Sequence, residues 1–281
     1  MYFKNDQESK PFSESILVLP AVSIGNVPQL SVDLIISTAQ LLRIGALESE
    51  FVCSLYGKGA YSHCKQYPSL ALEVYQTQDG KYTFVQSRTP PLKGMKKLFA
   101  KQIIDFYQKN KFKDLVLLAS GNAALCDDLV LDGPKAKVFR IGNENSEFCL
   151  NLEKNGIPLV NLYSGSASLK LEKMEISDTK SSSIENKMET DDLQLKKITK
   201  DNFINSGISR CIITECVKND KTASILLMFV NEGDNVPEAI VYSSMVNAAT
   251  GILDGHAGIE WIPPPSWELL QPGRTPQELF Y

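Results

Sequence analysis

The run Ala223-Ser224-Ile225-Leu226-Leu227-Met228-Phe229-Val230 is the most apolar stretch of the chain. It is far shorter than the roughly 18 residues a membrane-spanning helix needs. A strand made of it has no polar face to turn to water, so it belongs at the centre of a sheet covered on both sides. Ser15 to Val22, with Ile16-Leu17-Val18-Leu19 at its heart, reads the same way, as does Lys113 to Ala119. Lys137 to Ile141 reads as a further strand.

Helical patterns separate these runs. Gly25-Asn26 breaks the first one. Asn26 is placed to cap a helix and Pro28 suits its first turn. Leu30, Leu34, Ile35, Thr38, Leu41 and Leu42 recur at helical spacing, so a helix is expected over residues 28–42. Between Leu92 and Asn110, Met95, Leu98, Phe99, Ile103 and Phe106 form one apolar stripe with lysines opposite. Ile208, Cys211, Ile212, Glu215 and Cys216 mark another amphipathic helix. Asn231-Glu232-Gly233-Asp234-Asn235 ends the most apolar run. Asn235 is expected to cap a helix over residues 237–253, with Pro237 in its first turn and Glu238 near its positive end. Residues 71–75 and 82–85 flank Asp79-Gly80, a pair that favours a two-residue hairpin turn. Helices alternating with buried strands predict an α/β layered sandwich with a mixed, largely parallel sheet.

A chain of 281 residues, 43% of them hydrophobic, has enough apolar surface for one large domain over 1–281. Between about 164 and 201 aromatic residues vanish and Ser, Lys, Glu and Asp dominate. That composition buries too little to offset the entropy of ordering, so a mobile insertion is expected there. The last residues, 271–281, carry two prolines and read as an extended arm. A formal charge of −4 and the lack of a basic stripe with interleaved aromatics argue against nucleic acid as a partner. Neither a secretory h-region nor a membrane-length apolar run is visible, so an intracellular protein with no membrane partner is expected. Its six cysteines then read as reduced, mostly buried thiols, with no CxxC pair and no zinc site.

Catalytic patterns are lacking. The two histidines, His63 and His256, fall in no recognisable constellation, and no GxSxG elbow, P-loop or HExxH occurs. Catalytic residues, cofactor and metal are each expected to be none. The Gly25-Asn26 turn follows a buried strand, where parallel sheets often bind ligands, but a lone glycine is a weak phosphate signal. Glu232 and Asp234 are two carboxylates in one turn. That pattern fits a shaped turn or a contact with a basic partner better than a metal site.

Three long motifs, in order along the chain, carry a family likeness. They are Leu19-Pro20-Ala21-Val22-Ser23-Ile24-Gly25-Asn26-Val27 running into Asp33 to Thr38, Phe229 to Ala239, and Ile262-Pro263-Pro264-Pro265-Ser266-Trp267-Glu268-Leu269-Leu270. Over residues 15–125 and 205–281 the chain resembles the proteasome assembly chaperone 2 family. The resemblance implies a non-enzymatic chaperone of the cytoplasm and nucleus with a phosphorylase/hydrolase-like fold that lacks the active site. It implies a heterodimer with proteasome assembly chaperone 1 that helps assemble the α-subunit ring of the 20S core particle and caps its outer face. It also gives a use for Leu279-Phe280-Tyr281. Such chaperones carry a C-terminal hydrophobic-tyrosine-any motif that enters pockets between α-subunits. Here Leu279 stands at the hydrophobic position, Phe280 departs from the tyrosine, and Tyr281 carries the carboxylate. For the dimer contact, the helix over 28–42 or the one over 237–253 is expected to contribute, with Ile36 and Met245 as the candidate contact residues, because both helices have apolar residues on more than one face. The alternative reading is a small-molecule enzyme using the loops at Gly25-Asn26 and 231–235.

Overall fold

The structure, a computed structural model, describes residues 1–6, 8–125, 135–163, 203, 206–253 and 258–269. Residues of the expected insertion (164–201) and of the arm (271–281, with Leu279, Phe280 and Tyr281) lie outside the described residues, as do His256 and Cys126.

Eleven strands are described: β1 (Tyr2–Asn5), β2 (Ile16–Pro20), β3 (Leu42–Glu48), β4 (Tyr56–Gly57), β5 (Ser69–Leu70), β6 (Leu72–Gln76), β7 (Tyr82–Ser87), β8 (Asp114–Asn122), β9 (Ala136–Ile141), β10 (Leu159–Tyr163) and β11 (Ala223–Val230). Nine of them make one sheet in the order β1-β3-β6-β7-β2-β8-β11-β9-β10, and β4 pairs with β5 apart from it. β7, β2, β8 and β11 form a parallel central block, and β9 turns antiparallel against β11. The expected mixed sheet is present, with antiparallel β3, β6 and β7 on one flank.

Alternate residues of the central strands feed two cores. Leu17, Leu19, Leu115, Leu117, Ile225 and Leu227 face one side, where α2 (Lys96–Lys109) and α4 (Ser209–Lys218) pack. Val18, Val116, Leu118, Leu226 and Met228 face the other, against α1 (Val27–Thr38), α3 (Glu147–Lys154) and α5 (Val236–Thr250). Period-two burial on both faces is what a strand without a polar side requires.

Several boundaries differ from expectation. α1 ends at Thr38, because Gln40 adopts φ 49, and Leu42 opens β3 instead of closing the helix. Asn26 does not cap α1; it sits at φ 52 with no side-chain bond to the helix. Asn235 also fails to cap α5. Its Nδ2 donates to the carbonyls of Asn231 and Gly233, and Asp234 Oδ1 accepts from Val236 N. The Asp79-Gly80 pair turns a longer connection: Thr77 N donates to Tyr82 O, Gly80 N donates to Thr77 O, and Gly80 has φ 79. In the α2 stripe Phe99, Ile103 and Phe106 are buried, but Met95 and Leu98 are exposed at the helix start.

One side chain ties α5 to the sheet. Tyr242 is fully buried, accepts from Ala119 N at 2.9 Å and donates to Leu226 O at 2.6 Å. Tyr242→Phe keeps the ring and leaves a buried backbone N–H and C=O short of a partner. We expect a loss of about 1–3 kcal/mol, read by urea denaturation. A loss under a few tenths would mean that water or a neighbour replaces the hydroxyl.

Candidate functional site

The carboxyl ends of β2, β8 and β11 are where a parallel-sheet protein would bind a ligand. At the ends of β2 and β8 the serines bond to one another and to backbone. Ser23 Oγ and Ser120 Oγ lie 2.7 Å apart, Ser120 N donates to Ser23 Oγ, and Ser120 Oγ donates to Ile24 O. Gly25, at φ 67, meets the second loop so closely that a Cβ there would lie 2.7 Å from Asn235 Nδ2. The Gly25-Asn26 and 231–235 loops therefore close on each other. His63 lies elsewhere, with Nε2 bonded to Leu41 O at 3.0 Å and its ring against Tyr61. Among the described residues no three His, Cys, Asp or Glu side chains gather to hold a metal, and no helix is long and apolar enough to cross a membrane.

The surface of α5 is different. Pro237, Ile240, Val241 and Ser244 are exposed along one strip, with Met245 half-buried beside it. Ile240 keeps 39% and Val241 47% of its surface in contact with solvent. An α-helix apolar on every side is normally covered on every side, yet here only the inner face is. Met245, as expected for a contact residue, is partly accessible. Ile36 is not: it is fully buried in the core between α1 and the sheet. The expectation that Ile36 touches a partner is corrected, since the apolar excess on α1 packs on the protein itself. Glu232 and Asp234 are exposed and rim a cleft of about 470 Å³ that runs beside Val241.

Residues 258–269 lie over the same helices. Ile262 N donates to Thr38 Oγ1 and Trp261 Nε1 to Ser244 Oγ. Trp267 is buried against Leu34 of α1 and Ala239 of α5, and its Nε1 donates to Asp33 Oδ2 at 3.2 Å. This segment leaves Ile262 51% exposed, with its N–H on Thr38 of α1.

Asp33 opens onto a buried ionic network that sequence reading missed. Its Oδ1 accepts from Tyr61 Oη at 2.5 Å and Gln86 Nε2 at 2.6 Å, with Arg88 Nη1 at 3.4 Å. Arg88 pairs with Glu73 at 2.7 Å, Glu73 with Arg43 at 3.2 Å, and Arg43 with Asp6 at 3.1 Å. Burial pushes the Glu73 carboxyl up, against the pull of the Arg88 and Arg43 guanidiniums. Burial pushes the Tyr61 hydroxyl well up too, helped by the Asp33 charge. For Arg88, burial acts to lower its basicity, but Tyr61, Asp33 and Glu73 outweigh it and hold the guanidinium charged. The partners are Asp6 just after β1, Asp33 of α1, Arg43 of β3, Tyr61 between β4 and β5, Glu73 of β6, Gln86 of β7, Arg88 just after it and Trp267 beyond α5, so no local motif announces them.

The model of the PAC2 family matches residues 17–253 of this chain. The chain belongs to the PAC2 family. The Danio rerio protein named Proteasome assembly chaperone 2 is 28% identical over 288 residues, covering 100% of both chains. The Homo sapiens protein of that name is 28% identical over 273 residues, covering 94% of each. The Pyrococcus furiosus PbaA structure, described as an archaeal homolog of proteasome-assembly chaperone, superposes with a TM-score of 0.54 at 14% identity, covering 88% of this chain and 86% of that one. PbaB of the same organism, described as an archaeal proteasome activator, gives 0.55 at 12% identity and covers 91% of each. These two share the fold with this PAC2 family member, and the sequence resemblance drawn above is borne out.

Proposed function

We propose that this chain is a non-enzymatic proteasome assembly chaperone of the cytoplasm and nucleus. It pairs with proteasome assembly chaperone 1, promotes assembly of the 20S α-ring, and caps the outer α-ring face through Leu279, Phe280 and Tyr281. The observation that carries this reading is likeness over the whole length to proteins named Proteasome assembly chaperone 2. Ser23 and Ser120, at the ends of β2 and β8, bond to each other and to backbone, which speaks against a small-molecule enzyme that uses the Gly25-Asn26 loop. For the paralogue, the reading assigns the exposed strip of α5, with Ile240, Val241 and the accessible part of Met245. Glu232 and Asp234 border that strip and suit basic groups on a partner.

The tail reading rests on general energetics. Leu279 and Phe280 would contribute on the order of 1.5–3 kcal/mol each if fully buried. Ordering the chain subtracts from that, so one tail alone binds weakly. Two tails on one heterodimer gain through effective concentration. Phe280→Tyr is expected to strengthen α-ring binding by about 0.5–1.5 kcal/mol where the pocket offers a hydrogen-bond partner. Crosslinking of the tagged chain in cell extract, followed by mass spectrometry, tests the partners. The paralogue and α-subunits are the expected crosslinks; recovery of neither overturns the reading.

A further inference from the structure

We propose that the surface around the start of α2 is a docking site for an acidic segment of a protein partner that also carries apolar side chains. It lies on the face of the sheet opposite α5 and is separate from the α5 contact proposed above. Residues 92–98 are exposed without a break. Leu92 and Met95 each keep 37% of their surface in solvent, and Leu98 keeps 47%. Met95, at the N-cap, and Leu98 are three apart and share one side of the helix. Lys97 and Lys101, four apart, run along the side next to them. A merely solvated turn would carry polar residues there, with its apolar ones turned inward. Here apolar and basic side chains share the outer surface, which fits a partner that brings both kinds of group.

The charge has one sign. Between Leu92 and Lys101 the chain holds Lys93, Lys96, Lys97 and Lys101 and no Asp or Glu, although its net charge is −4. Lys81, Lys113 and Lys218 pair with Glu147, Glu14 and Glu215. Lys96 Nζ donates to the Gly207 carbonyl at 3.4 Å, and among the described residues no carboxylate pairs with Lys93, Lys97 or Lys101. Lys96 and Lys97 also stand in the first turn of α2, at the positive end of the helix dipole. A cation is unfavourable there, and no acidic residue in that turn offsets it. These lysines weaken their own helix, and an acidic partner reverses the effect. Stability given up at a surface in this way is a mark of binding.

The site is set in advance. Leu92 N donates to Phe51 O at 2.8 Å, and Met95 N to Leu92 O and Phe99 N to Met95 O at 2.9 Å, so backbone bonds fix the turn into α2. A rigid site loses little freedom on binding. Charge also separates the two apolar surfaces of the molecule. Glu232 and Asp234 beside α5 repel an acidic partner, and the α2 lysines attract it. A flat anionic membrane fits less well than a narrow protein segment, because it would also meet the exposed Glu48 and Glu50. They flank Ser49, whose Oγ donates to Gln102 Oε1 of α2 at 2.7 Å.

The test uses the full chain and fluorescence anisotropy with three labelled peptides. The first is glutamates with a leucine at every third or fourth position, the second has serine for leucine, and the third has lysine for glutamate. The first is expected to bind about tenfold tighter than the second and to weaken as salt rises, and the third not to bind. Lys97→Glu combined with Lys101→Glu is expected to weaken the first peptide about tenfold, and Leu98→Ser about fivefold. The melting midpoint of the double variant should hold or rise, since a carboxylate at position 97 suits the helix dipole. Failure of the first peptide to bind overturns the proposal. So does equal affinity for wild type and both variants, or equal affinity of the leucine and serine peptides. Flotation on phosphatidylserine vesicles that needs the same side chains, with no peptide bound, would assign the surface to a membrane instead.

Discussion

Glu73→Ala is expected to lower stability by about 3–5 kcal/mol, because it leaves buried guanidinium charge uncompensated. The Glu73 side chain is 1% exposed and sits between Arg43, 2% exposed, and Arg88, 15% exposed. It also accepts from Leu70 N at 3.2 Å. Removing it strips one partner from each arginine at once. Asp6 and Pro68 O still hold Arg43, and Asp33 still holds Arg88, which keeps the loss from being larger. The carboxyl itself is raised by burial, so the network is not a source of net stability merely because it contains ion pairs. What the mutation exposes is the cost of breaking it. Thermal unfolding followed by circular dichroism should show a midpoint lower by roughly 10 °C. Glu73→Gln, which keeps hydrogen-bonding capacity, should lose less. A Glu73→Ala midpoint within 1 or 2 °C of wild type would mean that water reaches both arginines.

Ile36→Asp and Val241→Asp should behave in opposite ways. Ile36 is fully buried beneath α1, so aspartate there loses the apolar burial and leaves a carboxyl group without partners. The two effects together cost on the order of 4 kcal/mol or more, and the chain is expected to unfold or become insoluble. Val241, 47% exposed on α5, has room for a carboxylate in water. Stability should stay within about 0.5 kcal/mol of wild type, and capture of the paralogue in a pull-down should be lost. If Val241→Asp and Met245→Asp both retain the paralogue at wild-type level, α5 is not the interface. A soluble, folded Ile36→Asp variant would contradict the burial of that side chain.

Which features were legible in the sequence follows from their physics. β2, β8 and β11 announce themselves, because a strand covered on both faces has nothing but apolar residues to offer. β3 stayed hidden. It contains Arg43 and Gly45, and each needs a partner distant in sequence. Arg43 is tolerable inside only beside Glu73 and Asp6. Gly45 is required because β1 comes so close that a Cβ would meet Lys4 O at 2.2 Å. α1 was read too long because Leu41 and Leu42 keep the helical phase. The phase says nothing of Gln40, whose left-handed backbone ends the helix first. Asn26 and Asn235 carry the right chemistry for caps, but Asn26 takes a left-handed backbone with no side-chain bond to the helix, and the Asn235 side chain holds its own loop against Gly25.

At the candidate site, Val241 and Met245 were visible as an apolar excess on α5. The same signal on Ile36 misled, because periodicity cannot tell an uncovered face from a helix buried on two sides. The Asp33–Trp267 contact joins residues 234 apart in sequence, and no spacing rule reaches that far.

The proposed function stands on binding of this PAC2 family member to the proteasome α-ring. Co-sedimentation of the chain and its paralogue with purified 20S particles tests it most directly. The wild-type pair is expected to sediment with the particles, and removal of Leu279-Phe280-Tyr281 is expected to reduce the bound fraction while the pair stays together. A wild-type pair that stays in the supernatant, or a truncated pair that binds as well as the full chain, would contradict it.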